Sequence, residues 1–202
     1  MTGRPWFDEQ SLETSHDPSR AWLEVTRLRH PALAGTRATM LELLIEHSDA
    51  LERSCRPGHF TGSALVMHPD RRRVLLLFHT KLQRWLQPGG HADGEANLAH
   101  VALREATEET GIAGLRVQTP AVDIDIHEVS HDGDTHLHYD VRYLVMAPVG
   151  AQPAGNHESE DLRWVEFGDL DDYGLDEGTY RMIEAGRHRL EPDGPGWAQT
   201  AG

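Results

Sequence analysis

Residues 89–112 read GGHADGEANLAHVALREATEETGI, and this stretch decides how the rest of the 202-residue chain is read. Asn97 is a plausible N-cap and Gly111 sits where a left-handed C-terminal residue falls, so a helix is expected from Asn97 to Thr110. At 3.6 residues per turn, Ala99, Leu103 and Ala106 share one apolar stripe. A second stripe begins beside it with Leu98, Val101 and Ala102, and its continuation at the same angles is Glu105, Glu108 and Glu109. Asn97, His100, Arg104 and Thr107 are left to solvent. The acids therefore stand on a flank that starts apolar, which points to the wall of a cleft.

Like charges at this spacing repel by roughly 3 kcal/mol per pair at about 6 Å and an effective dielectric near 20. A solvated acidic face would leave that repulsion to water. In a partly enclosed site a hard divalent cation offsets it, because Mg²⁺ or Mn²⁺ prefers carboxylate oxygens and bridges to phosphates.

The same segment resembles the signature box of the Nudix hydrolase superfamily: G, five residues, E, seven residues, then R-E-U-x-E-E-x-G-U with U aliphatic. Gly90, Arg104, Glu105, Ala106, Glu108, Glu109, Gly111 and Ile112 fall on the pattern. Ala96 departs from it, standing where the family has its first Glu, which bonds the box arginine. Glu95 or Asp93 could do that job from nearby, or Arg104 is held less firmly. The resemblance implies an α+β fold, an α/β/α sandwich around a mixed β-sheet, here with an N-terminal helical extension. It further implies Mg²⁺ or Mn²⁺ held by Glu105, Glu108 and Glu109 with the carbonyl of Gly90, Arg104 orienting Glu105, and hydrolysis of a nucleoside diphosphate linked to another moiety.

Composition agrees. The formal charge of −14 argues against non-specific binding to nucleic acid or an anionic membrane, while a nucleotide could still bind where a cation supplies positive charge. Cys55 is the only cysteine, which rules out an intrachain disulfide. Without a basic and apolar leader or a run near the ~20 apolar residues of a membrane span, a cytoplasmic location is expected.

Along the chain, residues 1–57 form the expected extension, helical around Ala21 to Leu28 and Arg37 to Arg53; Met40, Leu41, Leu43, Leu44 and Leu51 pack it on the main domain. The main domain spans 58–190 and a tail follows from 191 to 202. Gly62 to Met67 and Val74 to His79 read as strands joined by the turn His68-Pro69-Asp70-Arg71. Two alternating strands flank the turn-rich HDGD at His131 to Asp134. If that hairpin closes symmetrically, Asp125 meets Asp140 and His127 meets His138.

One face of the hairpin is then rich in titratable groups. It is either an ordinary solvated side or a substrate wall, with Arg142 for phosphate, Asp140 beside it, and His91 and His138 as hydrogen-bonding groups or ligands of a second metal. Fourteen histidines make any single one weak evidence; His91 stands out because it follows the box glycines. Near the C-terminus, the loop from Gly155 to Asp161 precedes a strand with Leu162, Trp164, Val165 and Phe167. It resembles a late family segment whose acid completes the metal site or activates water: Glu160, with Glu158 as alternate. Tyr180 to Leu190 reads as a closing helix.

Two other readings stay open. A ligand sensor that keeps the fold without hydrolysis has the Ala96 departure in its favour. Isomerisation of an isoprenoid diphosphate would need an acid such as Cys55 beside the alkene. A nucleotide-type small molecule is the expected partner, and a homodimer is left open.

Overall fold

The computed structural model describes residues 5–131, 134–156 and 159–191, so Glu158 and the tail beyond Glu191 lie outside the described residues. Strands β1 (Trp6–Phe7), β2 (Gly58–Met67), β3 (Arg73–His79), β4 (Arg84–Leu86), β5 (Gly89–His91), β6 (Arg116–His131), β7 (Asp134–Met146) and β8 (Ser159–Glu166) form one mixed sheet. The helices are α1 (Pro18–Arg27), α2 (Ala34–Glu46), α3 (Leu98–Thr110) and α4 (Glu177–Leu190).

β2 is the hinge of this architecture. Every residue of GHFTGSALVM is buried, as a strand covered on both faces requires. It runs parallel to β7, pairing Gly58 with Leu137 through Met67 with Met146. On its other edge it takes β5, antiparallel, with Thr61 opposite His91 and Ser63 opposite Gly89. It meets β3 only at Met67 and Val74, after which β3 diverges to pair with β4 and β8. The expected hairpin therefore opens into a cleft whose floor is β2.

Successive side chains of a strand point to opposite faces, and β2 divides its residues accordingly. Phe60, Ala64 and Val66 join Leu98, Val101, Ala102 and Leu103 of α3 and Ala21, Val25, Met40 and Leu43 of α1 and α2 in one apolar core. Leu65 and Met67 join Leu144, Met182 and Ile183 in a second core beneath α4. This is an α/β/α sandwich with a mixed sheet, as expected. Truncating Leu98 or Leu103, each at most 1% exposed, would cost about 2–5 kcal/mol.

Several elements differ from the sequence reading. α2 ends at Glu46 rather than Arg53: His47 turns extended, and Leu51 is buried by turns whose backbone is tied to β2 through Phe60 N–H to Ala50 O and to Gly94 N–H through Leu51 O. β2 starts at Gly58 rather than Gly62; its first residues include the buried polar His59 and Thr61, which break the apolar pattern by which a strand is recognised. α4 starts at Glu177, capped by the Asp176 carboxylate, which accepts from Thr179 N–H. Asn97 does not cap α3 with its side chain and is not on a solvent face; it is 1% exposed and donates to the carbonyl of Glu13.

Candidate active site

The side chains of β2, β5 and β7 on the α4 side of the sheet floor a cavity of ≈ 850 Å³. Glu105 and Glu109 of α3 line it, together with Gly89 and Gly90 of β5. Both glycines are closely approached, Gly89 by Ser63 of β2 and Gly90 by Glu105 of α3. A Cβ at Gly90 would strike the Glu105 carboxylate, and Glu109 Oε2 accepts a hydrogen bond from Gly89 N–H at 2.8 Å. α3 stops where it must, at Gly111 with φ +64°, so the acids occupy its last two turns.

Arg104 donates to Glu105 Oε1 at 2.7 Å and to the carbonyl of His91 at 3.1 Å, clamping the helix to β5. Its Nε is buried with no hydrogen-bond partner. Neither nearby acid replaces the missing one at position 96. Glu95 accepts from Ser15 N–H and Asn97 N–H, and Asp93 takes a bidentate bond from Arg53. Ala96 itself is fully buried, its N–H donated to Ser15 O.

Asp140 and Arg142, expected as substrate-wall residues, are 1% and 2% exposed. The guanidinium is engaged by Asp140 at 2.8 Å, Asp123 at 3.1 Å and Asp125 at 3.1 Å. Arg181 of α4 bonds the same Asp123 and Asp125, and Thr61 and Ser63 donate to Asp140. Burial opposes the charge on Asp140, but the adjoining Arg142 outweighs it and holds the carboxyl below its ordinary value. Burial likewise opposes the charge on Arg142, and the three carboxylates push its pKa up. For Asp123 burial wins and the pKa is raised despite both arginines. A guanidinium so fully committed is a structural centre of the cavity floor more than a free phosphate ligand; the sequence suggested otherwise because an Arg on a polar strand face shows none of its partners.

The hairpin register is as expected, with Asp125 opposite Asp140 and His127 opposite His138. His91 and His138 both line the cavity; His59, which no local pattern singles out, packs against both, and His136, from the same row of alternating residues as His138, packs against His59 and His138. Burial, followed by neighbouring charged groups, lowers His59 and His91 to about 4; burial and the adjacent histidines lower His138 to about 3. His59 is opposite His138 in the parallel ladder, a pairing that no local pattern announces.

Glu108 is exposed and is not part of the cavity wall. Glu160 is not brought to the acidic helix. Phe78 pairs with Asp161 and His79 with Ser159, so Glu160 is the extra residue of a β-bulge, and its carboxylate accepts from Gln83 Nε2 beside a separate shallow recess. Cys55 is fully buried and is not among the residues that line the cavity, so no alkene bound there could take a proton from it.

This fold, with an acidic helix end packed on a glycine strand, is that of the family suggested by the box. The NUDIX domain family model matches residues 59–185, and the chain belongs to that family. A Mycobacterium tuberculosis protein named "Putative 8-oxo-dGTP diphosphatase 3" is 30% identical over 131 residues, 60% of this chain and 58% of that protein. A Lactococcus lactis protein named "Probable DHNTP pyrophosphohydrolase" is 29% identical over 111 residues, 52% of this chain and 65% of that protein. The chain thus matches less than two thirds of either relative's length. The Escherichia coli dihydroneopterin triphosphate pyrophosphohydrolase structure aligns with a TM-score of 0.53 at 18% identity, covering 64% of this chain and 93% of that one, a likeness of fold. No helix among the described residues is long and apolar enough to cross a membrane.

Proposed function

We propose that this chain hydrolyses a diphosphate linkage in a nucleoside diphosphate joined to another moiety, with Mg²⁺ or Mn²⁺ as cofactor. The observation that carries the proposal is the seating of the Glu105 carboxylate against Gly90, beside a buried Glu109, in the wall of a ligand-sized cavity. These residues fit a hard cation: the donors are carboxylate and carbonyl oxygens, and residue 90 has no side chain to fill the space between strand and acid. Glu105 and Glu109 would hold the ion with the Gly90 carbonyl, and Glu108 would join from the exposed side of the helix end. When bound, such an ion stabilises charge on phosphoryl oxygens and lowers the pKa of water.

The chain's own groups supply the rest. Arg104 fixes the Glu105 carboxylate by a 2.7 Å bond, which limits its rotamers. Glu105 or Glu109 takes the proton of the attacking water, both being on the cavity wall. The Asp140–Arg142 network keeps the floor rigid, and His59, His91, His136 and His138 line the same cavity. Residues 58–190 would be the hydrolase unit, with 1–57 packed on it.

Incubation with dinucleotides, nucleotide sugars and nucleoside or pterin triphosphates, with Mg²⁺ or Mn²⁺, tests this. The last two classes belong in the panel because the relatives are named for 8-oxo-dGTP and DHNTP. Metal-dependent release of phosphate, pyrophosphate or nucleotide from at least one compound is expected. Tight binding of one compound with no release from any would favour the sensor reading instead.

A further inference from the structure

The histidines of the cavity floor form a second cluster, separate from the carboxylates of α3. His59 lies on β2, His91 on β5, and His136 and His138 on β7. The three strands are adjacent in the sheet, with His59 directly opposite His138 and His91 opposite Thr61, one step of the pleat along from His59. All four rings therefore share one sheet face. The His59 ring centroid lies 5.0 Å from His91, 4.9 Å from His136 and 5.2 Å from His138. One ring nitrogen from each residue can be chosen so that all lie within 4.8 Å of one another.

His59 is the informative member. It is 2% exposed, and neither of its ring nitrogens has a hydrogen-bond partner. Burying such a group without a partner costs roughly 1–3 kcal/mol, and a lone pair that nothing in the protein satisfies invites a ligand. We propose that His59, His91, His136 and His138 form a binding site for an imidazole-preferring transition metal of the Zn²⁺, Co²⁺ or Ni²⁺ type, distinct from the carboxylate site for Mg²⁺ or Mn²⁺.

The donor set selects the ion. Neutral imidazole suits Zn²⁺, Co²⁺ and Ni²⁺, whereas Mg²⁺ demands oxygen. A tetrahedral zinc ion at about 2.0–2.1 Å from each nitrogen needs nitrogens roughly 3.3 Å apart, a contraction of the cluster by at most about 1.5 Å. Rotation of the rings about their side-chain bonds supplies that contraction without moving the strands. The nearby cation Arg53 is neutralised by its bidentate bond to Asp93. Arg142 is already committed to Asp140, so a divalent ion here would give the cavity floor the uncommitted positive charge that an anionic ligand needs.

The test is metal binding by untagged, chelator-treated protein in the absence of nucleotide. Zn²⁺ uptake is measured by calorimetry, Co²⁺ uptake by visible absorption, and the zinc shell by X-ray absorption. One equivalent per chain in a nitrogen-dominated shell is expected, retained in the Glu105→Gln/Glu109→Gln double variant. Binding should weaken by about tenfold or more in His59→Gln and separately in His136→Gln, with folding checked by circular dichroism. The second variant sits at a partly exposed position, so a folding defect at the buried His59 does not remove the test. No uptake, an oxygen-dominated shell, or loss of binding only in the acidic double variant would overturn the proposal. Failure of hydrolysis would leave this binding result unaffected, so the two proposals fail separately.

Discussion

The Glu105 carboxylate fills the space that a side chain at residue 90 would need. Strand and helix are thus fitted to each other in the wall of the cavity that both residues line. Gly90→Ala should displace the carboxylate by about 1 Å and lower metal-dependent turnover by about a hundredfold while the protein still folds. Initial rates with Mg²⁺ alongside a thermal melt would check this; unchanged turnover would detach the glycine from the chemistry.

The three acids of the helix end should not be equivalent. Glu109 is 5% exposed and lines the cavity, whereas Glu108 is exposed outside it. Glu109→Gln should reduce turnover by about a hundredfold or more without unfolding, since glutamine still accepts from Gly89 N–H and one repelling charge is gone. Glu108→Gln should cost less, and Glu160→Gln should leave kcat within about twofold because its carboxylate faces Gln83. Steady-state kinetics of the three variants would rank them, and an equal loss in all would contradict the geometry.

Arg142→Met removes one partner of a buried ionic network and leaves Asp123 and Asp140 without it. A loss of about 3–5 kcal/mol in unfolding free energy is expected, read from the urea midpoint. A phosphate ligand would instead raise KM with stability intact.

Acid should destabilise the metal-free protein before the ordinary carboxylates titrate. His59 and His91 titrate at about 4 and His138 at about 3 in the folded state, against 6.5 in the unfolded chain. Between those values the unfolded state binds more protons, so stability is full above about pH 6.5 and declines as pH falls towards 4. Thermal melts from pH 7.5 to 4.5 should show a Tm falling by several degrees, and His138→Gln should flatten that fall. A Tm independent of pH over that interval would contradict the burial of these rings.

Cys55 should resist alkylation by iodoacetamide at pH 8 in the native protein and react fully in urea, because the thiol is buried and its pKa is pushed up to about 11. Rapid native labelling would show that the segment between α2 and β2 opens.

Local spacing makes the acidic helix legible almost to the residue, from the glycine at its end to the second stripe, which places Glu105 and Glu109 on the cavity flank but puts Glu108 there too, where the structure leaves it exposed. The β6–β7 register followed from alternation about a turn. What escaped depends on pairing between distant segments. The three-residue strands β4 and β5 are too short for any period, and the first part of β2 is hidden because His59 and Thr61 look like loop residues until the cavity they face is known. The fate of Arg142 was equally hidden, since two of its carboxylates come from β6 and the arginine that shares them comes from α4. Glu160 was misplaced by one extra residue in a strand, which alternation cannot foresee.

The parallel pairing of β2 with β7 carries a consequence for assembly. Thr61 bonds Asp140 across 79 residues of sequence, and His59 faces His138 across the same interval. A polypeptide released after α3 would possess nearly the entire signature, with β2 and β5, yet lack the β7 part of the floor, and closing so long a loop is paid in chain entropy before any contact rewards it. Competence should therefore emerge late in biosynthesis, only after β7 has left the ribosome and found its neighbour.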